Sequence, residues 1–238
     1  MTSTSSRPVL LVLGVGPGLG LSVAHRFGAE GYAVALVSRS AARHGSYLDA
    51  LAQGGIEAAA FTGDVGDPDS LRAAVAATRE RFGRIDVAYY GPAALDGPLP
   101  AELTTIDAAQ ARAALEAMVL PAVDVVSLLL HELRERRSGG LLFAGGLSSV
   151  VPMPALGALA LASAALRNYA ITLHQALQPE GVYAGTLTIG GLIERGDIHR
   201  AMAGSTELPT LDPDALAGTL WTMFSDGKPA EQVVSFLH

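Results

Sequence analysis

Short runs of β-branched residues and leucine alternate with longer stretches of helical periodicity along almost the whole chain. The run Val9–Leu13 has no polar member, which predicts a strand covered on both faces. A glycine turn follows, then a helical pattern over residues 19–30 that Gly31 stops. Residues 32–37 and Ala58–Thr62 read as the second and third strands, with a weaker helix over 47–53 between them. Asp67-Pro68-Asp69 opens the next helix, because aspartate caps free amides and proline suits a first turn. That helix runs to Phe82, and Val87–Tyr90 is strand four. A long helix is predicted over residues 108–136, with Pro121 bending it. Strand five over 141–144, an alanine-rich helix over 154–177 and strand six over 183–189 follow. A helix near 214–224 and a short strand at 232–236 complete the pattern.

Strands that alternate with helical crossovers imply a parallel sheet. The predicted fold class is therefore α/β: one doubly wound, Rossmann-type domain over residues 8–238. Residues 1–7 are rich in serine and threonine and are expected to be flexible. The segment 191–210 has weak periodicity and several glycines, and is expected to form a lid over a site.

Composition sharpens this picture. Half of the 238 residues are apolar and only 16% are charged, which suits a sheet covered on both faces or an oligomer with greasy interfaces. Val123, Val125, Val126, Leu128, Leu129 and Leu130 make the long helix apolar almost all round, so a homo-oligomer is expected. The net charge of −7 argues against nucleic acid as a partner, since phosphate backbones call for a basic face. The chain has no cysteine, which excludes disulfides and thiolate chemistry and suits the cytoplasm. Its six histidines lack ligand spacing, so no metal is expected. Val9–Leu13 is too short for a signal or membrane segment, and no membrane is expected as a partner.

Candidate chemistry begins at Gly14-Val15-Gly16-Pro17-Gly18-Leu19-Gly20, between the first strand and the first helix. Glycines here permit a tight turn and close backbone approach, and the helix start offers free amides and a positive dipole end. That arrangement holds the pyrophosphate of a dinucleotide. The second strand ends in Ser38-Arg39, where an NAD site usually carries an acid for the ribose diol. With no carboxylate to repel a 2′-phosphate and a guanidinium next in line, NADP(H) is expected over NAD(H). Arg43 and His44 add to that field.

Taken in order, these features resemble the short-chain dehydrogenase/reductase family over essentially the whole chain. The turn has that family's Gly-x-x-x-Gly-x-Gly form at Gly14, Gly18 and Gly20. Asp64-Val65 after strand three resembles its adenine-binding pair, and Gly83-Arg84-Ile85-Asp86-Val87 its lead into strand four. Ala164-Ala165-Leu166-Arg167 resembles the continuation of its active-site helix, and Ile189-Gly190-Gly191-Leu192 its Pro-Gly segment with proline lost. The resemblance implies cofactor contacts at Gly14, Gly16, Gly18, Leu19, Gly20, Ser38, Arg39, Asp64, Val65, Gly91 and Leu192.

The same resemblance exposes a departure. The family's chemistry uses a tyrosine acid/base, a lysine one turn later, an upstream serine and an asparagine on the preceding long helix. Those positions fall here on Leu159, Ser163, Gly146 and Ala117. The chain contains no Tyr-x-x-x-Lys, and Lys228 is its only lysine. A tyrosine with no cation beside it keeps a pKa of about 10 and is a poor acid/base near neutrality. Ser148 and Tyr90 are candidate substitutes near the pocket mouth, although a capping serine and a packed aromatic are the plainer readings. Tyr169 and His174 lie too far along the helix, and Glu194 reads as a solvated lid residue.

Three functions follow from this. The first is an NADP(H)-dependent oxidoreductase with an atypical site, acting on a small apolar substrate such as an imine or activated alkene. The second is a non-redox biosynthetic enzyme — a cyclase, dehydratase or isomerase — using the dry pocket that Leu159 and Ala117 would shape. The third is a catalytically silent nucleotide-binding protein.

Overall fold

The computed structural model describes residues 7–91, 101–202 and 209–236. In chain order the first half holds β1 (Val9–Leu13), α1 (Leu19–Ala29), β2 (Ala33–Ser38), α2 (His44–Gln53), β3 (Ala58–Thr62), α3 (Pro68–Phe82) and β4 (Val87–Tyr90). Then come α4 (Ala108–Met118), α5 (Leu120–Arg136), β5 (Gly140–Gly146), α6 (Gly157–Leu177) and β6 (Tyr183–Gly190). The remainder is β7 (Leu192–Ile193), α7 (Asp197–Met202), β8 (Thr210–Leu211), α8 (Pro213–Asp226) and β9 (Glu231–Ser235).

Among the described residues, seven strands form one parallel sheet in the order β3-β2-β1-β4-β5-β6-β9. The order reverses between β1 and β4, and at such a point doubly wound sheets open a crevice at their carboxyl ends. Every residue of β1 is fully buried, as its unbroken apolar run requires. One sheet face is covered by α3, α5 and α6 through Leu71, Val125, Leu129 and Leu166. The other is covered by α1, α2 and α8 through Val23, Phe27, Leu51 and Leu220.

The local chemistry accounts for the element ends. Asp67 accepts the Asp69 and Ser70 amides at 2.9 and 3.3 Å to start α3, and Gly83 in the left-handed conformation ends it. α2 begins at residue 44 rather than 47, because Ser40 caps a preceding 3-10 turn through the Ala42 amide at 3.2 Å. β5 extends to Gly146, since Gly145 and Gly146 keep register with Thr188 and Ile189.

The long helix expected over 108–136 is two helices. Pro121 lacks the N–H that the Ala117 carbonyl would need, so the ladder breaks at Val119 instead of merely bending. The helical stretches 108–136 and 154–180 are long and apolar enough, by length and composition alone, to cross a membrane. In this fold α5 and α6 bury apolar faces against the sheet, and α4 packs on α6. Of the expected flexible start, residues 1–6 lie outside the described residues; of the expected lid, 203–208 do.

Asp86, at the amino end of β4, fastens the edge of the sheet remote from the crevice. Its buried carboxylate accepts the Val9 amide at 2.8 Å and the Arg84 guanidinium at 2.8 and 3.0 Å, with Arg136 3.8 Å away. Asp86→Ala strips the acceptor from all three and is expected to cost about 2 kcal/mol. Urea denaturation checks this; a midpoint equal to wild type would remove Asp86 from the account.

Candidate functional site

At the carboxyl edge, the glycine turn and the start of α1 form one wall of a cleft of about 440 Å³. No side chain caps α1, and the first amides paired back into the turn are those of Leu21 and Ser22, to Gly16 and Gly18 at 3.1 and 3.2 Å. The Gly14 and Val15 amides bond the Val37 carbonyl at 3.0 Å, and the uncapped helix start places the positive end of its dipole at the turn. A side chain built on Gly16 would meet nothing within 4 Å, whereas one on Gly18 would press on Gly196 Cα at 3.1 Å. Gly16 therefore leaves a cradle open, and Gly18 lets residues 194–196 close over it.

The cleft continues past Gly91 to the positions that the family resemblance marks as catalytic. Gly146, Leu159 and Ser163 all line it, together with Met118, Met153 and Leu156. Ala117 sits exposed on α4, outside the cleft lining, and its neighbour Met118 takes the inward place. Ser163 is 2% exposed and borders the cleft with a hydroxyl where a lysine would reach much further. Ser148 also lines the cleft, and its Oγ lies 3.8 Å from where a side chain on Gly146 would begin. It thus brings a hydroxyl close to the place of the missing serine. Ser149 instead turns back to the Gly146 carbonyl at 2.8 Å.

Tyr90 does not serve as a substitute. Strand alternation turns it away from the cleft into the α5/α6 side of the core, where its hydroxyl donates to the Met118 carbonyl at 3.0 Å. Burial also pushes its phenol well above the ordinary value. The tyrosine that borders the cleft is Tyr89, 1% exposed, whose hydroxyl fills the space beside Gly91. The sequence carried a usable signal for it: Tyr89 and Gly91 share a strand face, and the glycine leaves room for the ring's end. Tyr169 packs edge-on to Phe143, and His174 Nδ1 is 2.8 Å from the Ala184 carbonyl, so both are structural.

Beyond the cleft, the ends of β2 and β3 bring Ser38, Arg39, Asp64 and Val65 to one side of the crevice. Ser38 Oγ lies 2.8 Å from His44 Nε2, and burial holds that imidazole below its ordinary pKa. His44 is therefore a neutral brace for Ser38 and adds no charge to the field. Asp64 Oδ1 accepts the Gly66 amide at 2.9 Å, shaping its own loop, while Val65 packs on the core. Arg39 is exposed at the strand's end.

Residues 195–197, within the segment expected to form a lid, are tied down by ion pairs that link distant parts of the chain. Arg43 bonds Asp197 on α7 at 2.7 Å, and this guanidinium holds the carboxyl below the usual range. Arg195 bonds Asp214 at 2.7 Å and Ser22 at 3.3 Å, pinning this segment to α8 and α1. Glu194 accepts the Thr210 hydroxyl at 2.7 Å, bracing β7 to β8. Leu192 and Ile193 line the cleft from above.

The residues present fit a dinucleotide. An uncapped helix start and an unfilled cradle at Gly16 suit the pyrophosphate, and an acid-free end of β2 suits a 2′-phosphate. Among the described residues, no group of acids and histidines could hold a metal ion.

Known proteins sharpen the comparison. The family described as short chain dehydrogenase matches residues 8–194. A Streptomyces virginiae protein assigned as a ketoacyl reductase of the monensin polyketide synthase is 38% identical over 104 residues, which are 44% of this chain and 40% of that one. The chain spans about two fifths of the length of this and similar curated relatives. A metagenomic short-chain oxidoreductase solved in complex with NADP superposes with a TM-score of 0.77 at 18% identity, covering 98% of this chain and 97% of that one. A short-chain oxidoreductase from Pseudomonas aeruginosa PAO1, described as containing an atypical catalytic centre, gives a TM-score of 0.84 at 20% identity and covers 97% of both chains.

Proposed function

The chain belongs to the short-chain dehydrogenase family, and on that premise we propose that it is an NADP(H)-dependent oxidoreductase whose acceptor site works without the family's tyrosine and lysine. The observation that carries this reading is the open cradle at Gly16, continuous with a cleft whose far end is apolar. Gly16, Gly18, Leu19 and Gly20 would hold the pyrophosphate on backbone amides, while Gly14, whose amide is taken by the Val37 carbonyl at 3.0 Å, would shape the turn through its positive φ. Ser38 and Arg39 would take the 2′-phosphate, Asp64 and Val65 the adenine side, and Gly91 and Leu192 the nicotinamide end. When bound, the coenzyme supplies a hydride.

The chain's own residues define the acceptor. Leu159, Met118, Met153 and Leu156 exclude water and hold a small apolar body, and unbranched methionines adapt to its shape. Ser148 is the hydroxyl placed to hydrogen-bond the acceptor's polar atom. Losing a positioned proton donor removes about 10²–10⁴-fold in rate for carbonyl reduction. Imines, iminium ions and activated alkenes depend less on that donor, and they are the proposed substrate class.

A homo-oligomer in the cytoplasm completes the proposal. Leu115, Leu120, Val123 and Leu161 on α4, α5 and α6 are large apolar side chains left exposed, whereas Val125, Val126 and Leu129 are already buried within the chain.

The test is turnover with NADPH deuterated at the transferable position, against a panel of ketones, imines and enones. Deuterium is expected in imine or enone products at a rate at least tenfold above ketones. Saturable NADPH binding with no deuterium in any product would overturn the redox reading. Product formed with the coenzyme unchanged would favour a cyclase, dehydratase or isomerase in the same dry cleft, and no product at all would favour a silent binder.

A further inference from the structure

Among the described residues that line the cleft, Tyr89 carries a polar group that neither the fold nor the family positions use. It lies on β4 between Val12 and Leu142, with its ring in the core cluster that faces α1 and α8. Its hydroxyl ends beside Gly91, in the space where a side chain at that position would start, and the residue borders the cleft with Gly14, Gly16 and Ile189.

Two other tyrosines show what is unusual. Tyr183 stands in the same relation to Gly185, yet its hydroxyl donates to the Pro229 carbonyl at 2.7 Å. Tyr90 donates to the Met118 carbonyl at 3.0 Å. Among the described residues nothing hydrogen-bonds the Tyr89 hydroxyl, and burial alone acts on its ionisation, raising it. The ring is buried but the hydroxyl is not sealed in the core: it reaches the cleft beside Gly91, so its acceptor comes from what fills the cleft.

We propose that the Tyr89 hydroxyl is a cofactor-binding group, donating a hydrogen bond to an oxygen of the dinucleotide where it leaves the glycine turn for the nicotinamide end. This rests on the coenzyme reading above and adds to it a residue outside the family's motif positions. The raised phenol stays protonated at neutral pH, so its O–H remains available to donate to an anionic oxygen. Tyr89 belongs to the α1 side of the sheet, whereas Leu159 and Ser163 stand on α6 at the other side, so it does not replace the missing acid/base. It takes instead the role of a polar side chain that Gly91 cannot supply.

The experiment compares Tyr89→Phe with Tyr183→Phe by calorimetric titration of NADPH and by thermal melting without coenzyme. Tyr89→Phe is expected to weaken NADPH about tenfold while melting at the wild-type temperature or above. Tyr183→Phe, which loses a carbonyl partner, is expected to melt lower and bind NADPH as wild type does. If wild type binds and Tyr89→Phe binds equally well, this inference fails and the coenzyme reading stands. A lowered melting temperature for Tyr89→Phe with unchanged affinity would make the hydroxyl structural and also overturn it. Should wild type bind neither NADPH nor NADH, the coenzyme reading fails and takes the inference with it.

Discussion

Gly16→Asp is expected to weaken NADPH binding about a thousandfold while leaving the coenzyme-free protein as stable as wild type. A side chain at this position meets no atom within 4 Å, so the substitution needs no rearrangement. Its carboxylate would stand where the cradle receives a pyrophosphate. Two like charges about 4 Å apart at an effective dielectric of 20 repel by about 4 kcal/mol, which converts to that thousandfold loss. The contrast with Gly18 matters. There a side chain would press on the Gly196 backbone and confuse binding with the packing of residues 194–196. Matched melting curves with parallel titrations check the prediction, and Gly16→Asp binding within tenfold of wild type would show that the turn holds no phosphate.

Arg39→Ala is expected to weaken NADPH about fiftyfold and NADH less than threefold, as read from paired dissociation constants. A guanidinium on a phosphate makes charge-assisted hydrogen bonds worth about 1.5–3 kcal/mol, whereas the ribose diol of NADH offers it no anion. Arg43 is engaged by Asp197 at 2.7 Å, and burial keeps His44 neutral against Ser38. Equal losses for both coenzymes would assign Arg39 to the fold or to the shared adenosine, and would remove the basis for NADP preference.

The sequence made the sheet legible because its strands are almost purely apolar: β1 could only be a strand buried on both sides. The glycine turn between β1 and α1 was legible for a related reason, since its spacing lies within one local βα unit. The ends of elements were harder. Pro121 foretold a disturbance, but only the lost Ala117 hydrogen bond turns a bend into two separate helices. Tyr90 and Tyr89 show a different difficulty. Adjacent strand residues face opposite sides, and which side opens on the cleft is decided by the whole sheet, so the tyrosine chosen from sequence was one residue away from the one that borders it. Arg43 and Asp197 stand 154 residues apart, and no local pattern announces their contact.

The missing catalytic side chains were legible at once, because a chain whose only lysine is Lys228 cannot hold the family's tyrosine–lysine pair. The hydroxyl proposed in their place was not. Ser148 emerges only because a turn after β5 carries its hydroxyl back to within 3.8 Å of the Gly146 side-chain position. The ties of Arg195 and Asp197 likewise depend on partners on α1, on α8 and in the turn before α2.

The central claim is that this fold keeps a working dinucleotide cradle beside a dismantled proton relay. Isothermal titration of the wild-type protein with NADPH and with NADH tests it most directly. Saturable heat for one NADPH per chain, with NADH bound at least tenfold more weakly, is the predicted result. No heat from either coenzyme would contradict it.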